Sequence, residues 1–231
     1  MKHSPFLLRS VILSAIASLI FTFSAQAQKR AIDINELINE TQLMSEDQNL
    51  MRLVWYIPLE YWEASFAADE SISADELEEM IDIFDDFELI AVIDGEFGVF
   101  GNIKYTPISE VRAMIRLETS DGKKHLPLDD SEISNDASTL MSFMQPMLAN
   151  MMGDMGKNMQ FFMFKSKGKE DRLIDPFKQH SFKVHLGDEV FSFELPLASL
   201  LPPKYCPTDG KKMKGTWIYC PFHGVELTDK N

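Results

Sequence analysis

The sequence predicts an α+β protein, built mainly from antiparallel strands with three or four helices and ending in a small C-terminal hairpin that carries both cysteines. Short alternating or β-branched segments meet across turn sequences such as Ser120-Asp121-Gly122, which is typical of hairpins. Helical patterns stand in blocks without regular alternation of strand and helix. This organisation favours an α+β fold over a doubly wound parallel sheet.

Helical periodicity is clearest after Ser73. Ser73 and Glu76 match a capping box, and apolar residues then follow at helical spacing. The acidic residues of this helix fall largely on its other side, which is more typical of a solvated face than of a calcium loop. Further helices are predicted from Asp33 to about Gln48, over residues 59–66 and from about Ala137 to Met152.

Strands are predicted at β-branched and aromatic runs bounded by turn residues. In one of them His185 alternates with Val184 and Leu186, so its side chain should lie on the solvent side of the sheet. The predicted strands cover residues 53–57, 89–93, 99–105, 111–118, 124–128, 159–165, 182–186 and 190–195.

The N terminus has the pattern of a secretory signal peptide. Two basic residues, Lys2 and Arg9, precede an apolar run over 11–23, and small residues end at Ala27. The run is shorter than the roughly 20 residues that a membrane-spanning helix needs. We expect cleavage between Ala27 and Gln28 and a periplasmic or secreted protein without a stable membrane anchor.

Composition limits the partners of the chain. It has 36 acidic and 22 basic residues and a formal net charge of −14, which disfavours nucleic acid and anionic lipid surfaces. A protein or small-molecule partner of unknown identity is expected instead. The predicted domains are a signal peptide at 1–27, a globular α+β domain at 28–200 and a knuckle hairpin at 201–231 packed on it.

Only the C-terminal region has a pattern with site chemistry. Two turns, at 206–210 and 220–224, share the template Cys-Pro-x-x-Gly, and an aromatic segment precedes the second. This knuckle pair resembles a zinc ribbon, in which two such turns present four ligands to a tetrahedral metal. The resemblance covers about 20 residues. It implies zinc ligation by Cys206, Asp209, Cys220 and His223, with aspartate and histidine where a zinc ribbon has cysteines.

The two cysteines also fit a disulfide. Two cysteines in an exported chain are most simply paired, and a bridge closing about 15 residues would stabilise the fold by roughly 3 kcal/mol. The Cys206 to Cys220 disulfide, with no cofactor, is therefore the leading prediction, and zinc is the alternative. Cys220 and His223 also resemble the second box of a Rieske protein. The first Rieske box needs Cys-x-His, and Thr208 occupies the histidine position, which argues against an iron–sulfur cluster.

Methionine is concentrated between Met141 and Met163. Thioethers are soft ligands for Cu(I), but the helical spacing of these residues favours packing in a core.

The sequence contains no nucleophile elbow, metalloprotease, P-loop or kinase motif, so it identifies no catalytic residues. The expected role is that of a non-catalytic binding or structural protein. A zinc-binding protein is one alternative. A hydrolase of unknown substrate is the other, and it requires a histidine and a carboxylate within hydrogen-bond reach in a deep pocket.

Overall fold

The structure is a computed structural model that describes residues 32–67, 72–151, 153, 155–168 and 171–229. The predicted signal peptide and its cleavage point lie outside these residues, as does Met152. The described residues belong to one compact unit, and the predicted domain boundary near residue 200 stays a prediction. Among the described residues, no helix combines the length and the apolar character needed to cross a bilayer.

The α+β class is confirmed, although the helices are more numerous than the three or four predicted. The described residues form five α-helices, α1 (Ile34–Thr41), α2 (Leu59–Ala67), α3 (Ala74–Phe84), α4 (Ile108–Met114) and α5 (Asn135–Met151). Their strands are β1 (Gln42–Met44), β2 (Leu53–Ile57), β3 (Phe87–Ile93), β4 (Gly95–Phe97), β5 (Ile103–Tyr105), β6 (Ile115–Glu118), β7 (Lys124–His125), β8 (Gln160–Lys165), β9 (Ser181–Leu186), β10 (Glu189–Glu194), β11 (Lys204–Tyr205), β12 (Lys212–Met213) and β13 (Thr228–Asp229). All pairings between these strands are antiparallel.

A first sheet of order β1-β2-β3-β8 lies at the centre of the core. Every residue of β2 is buried, in keeping with its uninterrupted β-branched and aromatic sequence. Trp55 of this strand packs edge-on against Tyr61 of α2, with ring centroids 5.4 Å apart. Its indole N–H donates to the Thr41 hydroxyl over 3.2 Å, so its one polar atom has a partner.

A second sheet of order β10-β9-β6-β7 contributes to the same core. Phe182 and Phe193 stack on each other at 4.7 Å, and Tyr56 of the first sheet contacts Phe182 at 5.0 Å. Arg52 adds an ionic link between the sheets, since its guanidinium lies 2.6 Å from Asp94 and 3.1 Å from Glu189. The two sheets therefore share one hydrophobic core.

Two smaller sheets complete the described chain. One is the β4-β5 hairpin, and the other, of order β12-β11-β13, belongs to the C-terminal hairpin. In this C-terminal part the buried residues form a hydrophobic cluster separate from the main core, consisting of Cys206, Met213, Cys220 and Leu227.

Four sequence predictions for secondary structure are wrong in extent. The strand predicted over 124–128 covers only Lys124 and His125, because only these two residues pair with β6. The first helix stops at Thr41 and not near Gln48, because the next three residues pair with β2 as strand β1. Residues 108–114 form helix α4, so only the second half of the predicted strand 111–118 is extended. The strand predicted over 99–105 begins at Ile103, because the preceding turn reverses the chain at Gly101, whose φ is +78°.

Packing of the methionine segment is largely as predicted. Met141 and Met144 on α5 and Met159 and Met163 beyond it are buried in the main core. Phe143 and Met147 lie on another face of α5 and are 70% and 63% exposed. The apolar positions of this helix therefore cover two faces, of which only one faces the core.

Candidate metal centre

The two predicted knuckles have matching backbone structure. In the first, the Gly210 N–H donates to the Cys206 carbonyl over 2.8 Å, and in the second the Gly224 N–H donates to the Cys220 carbonyl over 2.8 Å. Both glycines have positive φ, +72° and +66°, a backbone region that residues with a Cβ seldom adopt. The shared glycine thus lets each turn close on its own cysteine.

A second pair of backbone bonds repeats as well. The Cys206 N–H donates to the Lys211 carbonyl over 3.0 Å, and the Cys220 N–H donates to the Val225 carbonyl over 2.8 Å. The N–H and the C=O of each cysteine are therefore both hydrogen-bonded, the C=O to the glycine of its own turn and the N–H to the residue that follows that glycine. The cysteine residues are buried, each with 1% of its surface exposed.

Three potential ligand atoms converge between the knuckles. The Nδ1 atom of His223 lies 3.4 Å from the sulfur of Cys206 and 3.6 Å from the sulfur of Cys220. All three atoms lie within 4.8 Å of one another, and among the described residues no other such group of three histidine, cysteine or acidic side chains is found. The dense acidic face of α3 therefore does not form a comparable cluster.

These distances match the geometry of a tetrahedral zinc site. With zinc bound to sulfur at about 2.3 Å and to nitrogen at about 2.0 to 2.1 Å, a tetrahedral S to N edge is about 3.6 Å. The two observed edges, 3.4 and 3.6 Å, agree with this value. His223 would bind through Nδ1, the ring nitrogen that faces both sulfurs.

Asp209 lies next to the three converging atoms. One of its carboxylate oxygens accepts the Lys211 N–H over 3.0 Å, and the other lies 4.0 Å from His223 Nδ1. The pKa of Asp209 is lowered, chiefly by the Lys211 N–H; burial opposes this, and the Cys206 thiol and His223 add to the lowering. A tetrahedral N to O edge is about 3.4 Å. Asp209 lies outside the group of three whose ligand atoms are all within 4.8 Å of one another, so its side chain must move to become the fourth ligand.

The surroundings of Cys220 stabilise a thiolate. Burial acts to raise the pKa of the Cys220 thiol, but hydrogen bonds from the Phe222 N–H, from the ring and N–H of His223 and from Cys206 outweigh it and lower the pKa. The thiolate is the form of cysteine that binds metals. The glycine that ends each knuckle permits a turn of this kind, in which backbone amides point at the sulfur.

Of the four ligands predicted from the zinc-ribbon resemblance, the structure brings Cys206, Cys220 and His223 together and leaves Asp209 close by. The two sulfurs are not bonded to each other here. The predicted disulfide stays a prediction.

A histidine and a carboxylate also meet outside the candidate metal centre. His185 Nε2 lies 2.8 Å from Glu118 Oε2, and Lys183 and Lys124 lie near the same carboxylate. His185 points to the solvent side of its strand, as predicted, while Val184 and Leu186 are buried. Neither Glu118 nor His185 lines the cleft between α3 and α5 or the cleft beside His125. The hydrolase alternative therefore has a histidine–carboxylate pair, but this pair does not line either of these clefts.

Sequence reasoning also missed a buried carboxylate in the main core. Glu88 of β3 is 5% exposed and accepts hydrogen bonds from the Ser166 hydroxyl over 3.0 Å and the Ile174 N–H over 3.1 Å. Burial raises the pKa of Glu88 to about 7, against the lowering effect of these two bonds and of Arg172. The sequence around Glu88 does not indicate that this carboxylate is buried and hydrogen-bonded, because its partners are about 80 residues away in the chain.

Comparison of the chain with models of protein families, with curated proteins and with solved structures found no match.

Proposed function

We propose that the knuckle pair binds one zinc ion through Cys206, Cys220 and His223, with Asp209 as the fourth ligand. The observation that carries this proposal is the pair of S to N distances, 3.4 and 3.6 Å, which are close to a tetrahedral zinc edge of about 3.6 Å. A disulfide alone does not require an imidazole nitrogen between the two sulfurs.

The role of this zinc is structural. The hydrophobic cluster of the C-terminal hairpin has four buried residues with Val225 packed against it. A core of this size buries too little apolar surface to hold a loop-rich segment, and small modules of this kind depend on a metal or a disulfide. Zinc bound to four side chains supplies that stabilisation without offering an open position for catalysis.

The chain as a whole is then a non-catalytic binding or structural protein, exported to the periplasm or the outside of the cell, with zinc as a structural cofactor. The matched knuckles and the absence of a recognisable catalytic motif support this assignment. Its partner is a protein or a small molecule rather than nucleic acid, since the chain has a net charge of −14.

Metal content tests this proposal directly. The full chain, purified under reducing conditions with equimolar zinc, should contain one zinc per chain by native mass spectrometry and elemental analysis. Cys206→Ser and Cys220→Ser should each abolish stoichiometric binding, and His223→Ala should weaken it at least tenfold. Asp209→Asn should weaken it less, because Asp209 is the one ligand that must move.

Two variants serve as matched controls. His125→Ala removes a histidine outside the centre, and Asp229→Asn removes an exposed aspartate of the same hairpin. Both should bind zinc as the parent chain does. Two free thiols without zinc in the reduced parent chain would overturn the proposal.

A further inference from the structure

We propose that oxidation of Cys206 and Cys220 to a disulfide releases the zinc ion, which makes the knuckle pair a redox-controlled metal site. The inference rests on the zinc binding proposed above and adds its regulation. The two outcomes that sequence analysis treated as alternatives then become two states of one site.

Geometry allows both states on one backbone. The two sulfurs lie within 4.8 Å of each other, and a disulfide bond is about 2.05 Å long. Rotation of the cysteine side chains can close much of this gap while the backbone bonds of each knuckle to Gly210, Lys211, Gly224 and Val225 are retained. The hairpin therefore does not have to unfold to exchange a metal for a disulfide.

The cysteine content makes the two states mutually exclusive. Cys206 and Cys220 are the only cysteines of the chain, so each is the other's only partner for an intramolecular disulfide. A disulfide removes both sulfur ligands at once and leaves only His223 and Asp209. Two ligands of this type do not hold zinc as a four-ligand site does.

A peroxide is the oxidant that suits two sulfurs with so little exposure, because hydrogen peroxide is small. One thiolate attacks a peroxide oxygen, the O–O bond breaks, hydroxide leaves and a sulfenic acid forms. The second thiolate then attacks that sulfur, the S–O bond breaks and a second hydroxide leaves. Two electrons pass from the cysteines to the peroxide, two protons convert the hydroxides to water, and Zn²⁺ departs.

The experiment adds hydrogen peroxide to the zinc-loaded full chain. Released zinc is followed with a chromophoric chelator, and intact mass is measured on the same samples. We expect one zinc released per chain in step with the loss of two hydrogens, and full recovery of zinc binding after a dithiol reductant and zinc are added. A Met213→Leu variant should behave in the same way, which separates the effect from oxidation of the methionine buried beside the cysteines.

The outcomes separate this inference from the proposed function. A chain that holds no zinc before peroxide is added contradicts the proposed function itself. A chain that holds zinc and keeps it while the disulfide forms, or that loses zinc without losing two hydrogens, contradicts the redox inference and leaves zinc binding intact.

Discussion

His223 Nδ1 lies 3.4 Å from Cys206 Sγ, although 17 residues separate them in the chain. The same nitrogen is 3.6 Å from Cys220, three residues before it. One imidazole thus contacts the sulfur of its own knuckle and the sulfur of the other. The convergence of these atoms, more than the presence of either cysteine, supports the proposal that the two turns form a metal centre.

Metal removal should loosen the knuckle pair and leave the main core in place. The amides of Cys206, Gly210, Cys220 and Gly224 close the two knuckles and should lose hydrogen-exchange protection when zinc is chelated under reducing conditions. Peptides covering β2 and β3 should exchange as before. Equal loss of protection in both regions would show that the metal supports the whole fold, contrary to a local structural role.

Glu88→Gln should remove a pH dependence of stability. The pKa of Glu88 is raised by burial to about 7 in the folded chain, against an ordinary value of 4.5. The folded state therefore holds its proton between these values while the unfolded state loses it. This group's contribution to the free energy of unfolding is greatest below pH 4.5 and falls by on the order of 3 kcal/mol as the pH rises to 7.

The glutamine side chain at position 88 is neutral at every pH, and its carbonyl oxygen can still accept from the Ser166 hydroxyl and the Ile174 N–H. Urea unfolding at pH 5 and pH 7.5 should show the variant matching or exceeding the parent at pH 7.5 and losing less stability over that interval. Glu194→Gln, at an exposed position, is the control and should keep the parent's pH dependence. An unchanged pH dependence in the position-88 variant would contradict the assignment.

Glu40 should stabilise the connection between α1 and the segment before the knuckles. Its carboxylate accepts the Ala198 N–H over 2.7 Å, the Ser199 N–H over 2.9 Å and the Ser199 hydroxyl over 2.7 Å. Glu40→Gln leaves a single acceptor for three donors and should cost about 1 to 3 kcal/mol. Glu36→Gln, exposed on the same helix, should cost less than about 0.5 kcal/mol in the same denaturation experiment.

Much of the fold was predictable because local signals agreed with tertiary packing. The Ser73 capping box forms with both of its reciprocal hydrogen bonds. The predicted strand 182–186 pairs with β10 in a hairpin that turns at Gly187. Predictions failed where a distant partner decided the outcome. Residues 42–44 are extended because β2 is available to pair with them, and no local pattern announces that partner.

The candidate site was predictable for a different reason. Repeated turn chemistry, Cys-Pro-x-x-Gly, determines the backbone of each knuckle within five residues. How the two turns face each other depends on the pairing of β11 with β12 and β13, and so the sequence left disulfide and zinc both open. The 4.0 Å separation of Asp209 from His223 is likewise a feature that only three-dimensional coordinates show.

The most direct test of the central claim is zinc K-edge X-ray absorption on the reduced, zinc-loaded full chain. The account predicts two sulfur neighbours at about 2.3 Å and two nitrogen or oxygen neighbours at about 2.0 to 2.2 Å. His223→Ala should remove the imidazole contribution and leave both sulfurs. A spectrum with only nitrogen and oxygen neighbours would show that the metal lies elsewhere and that the knuckle cysteines are not its ligands.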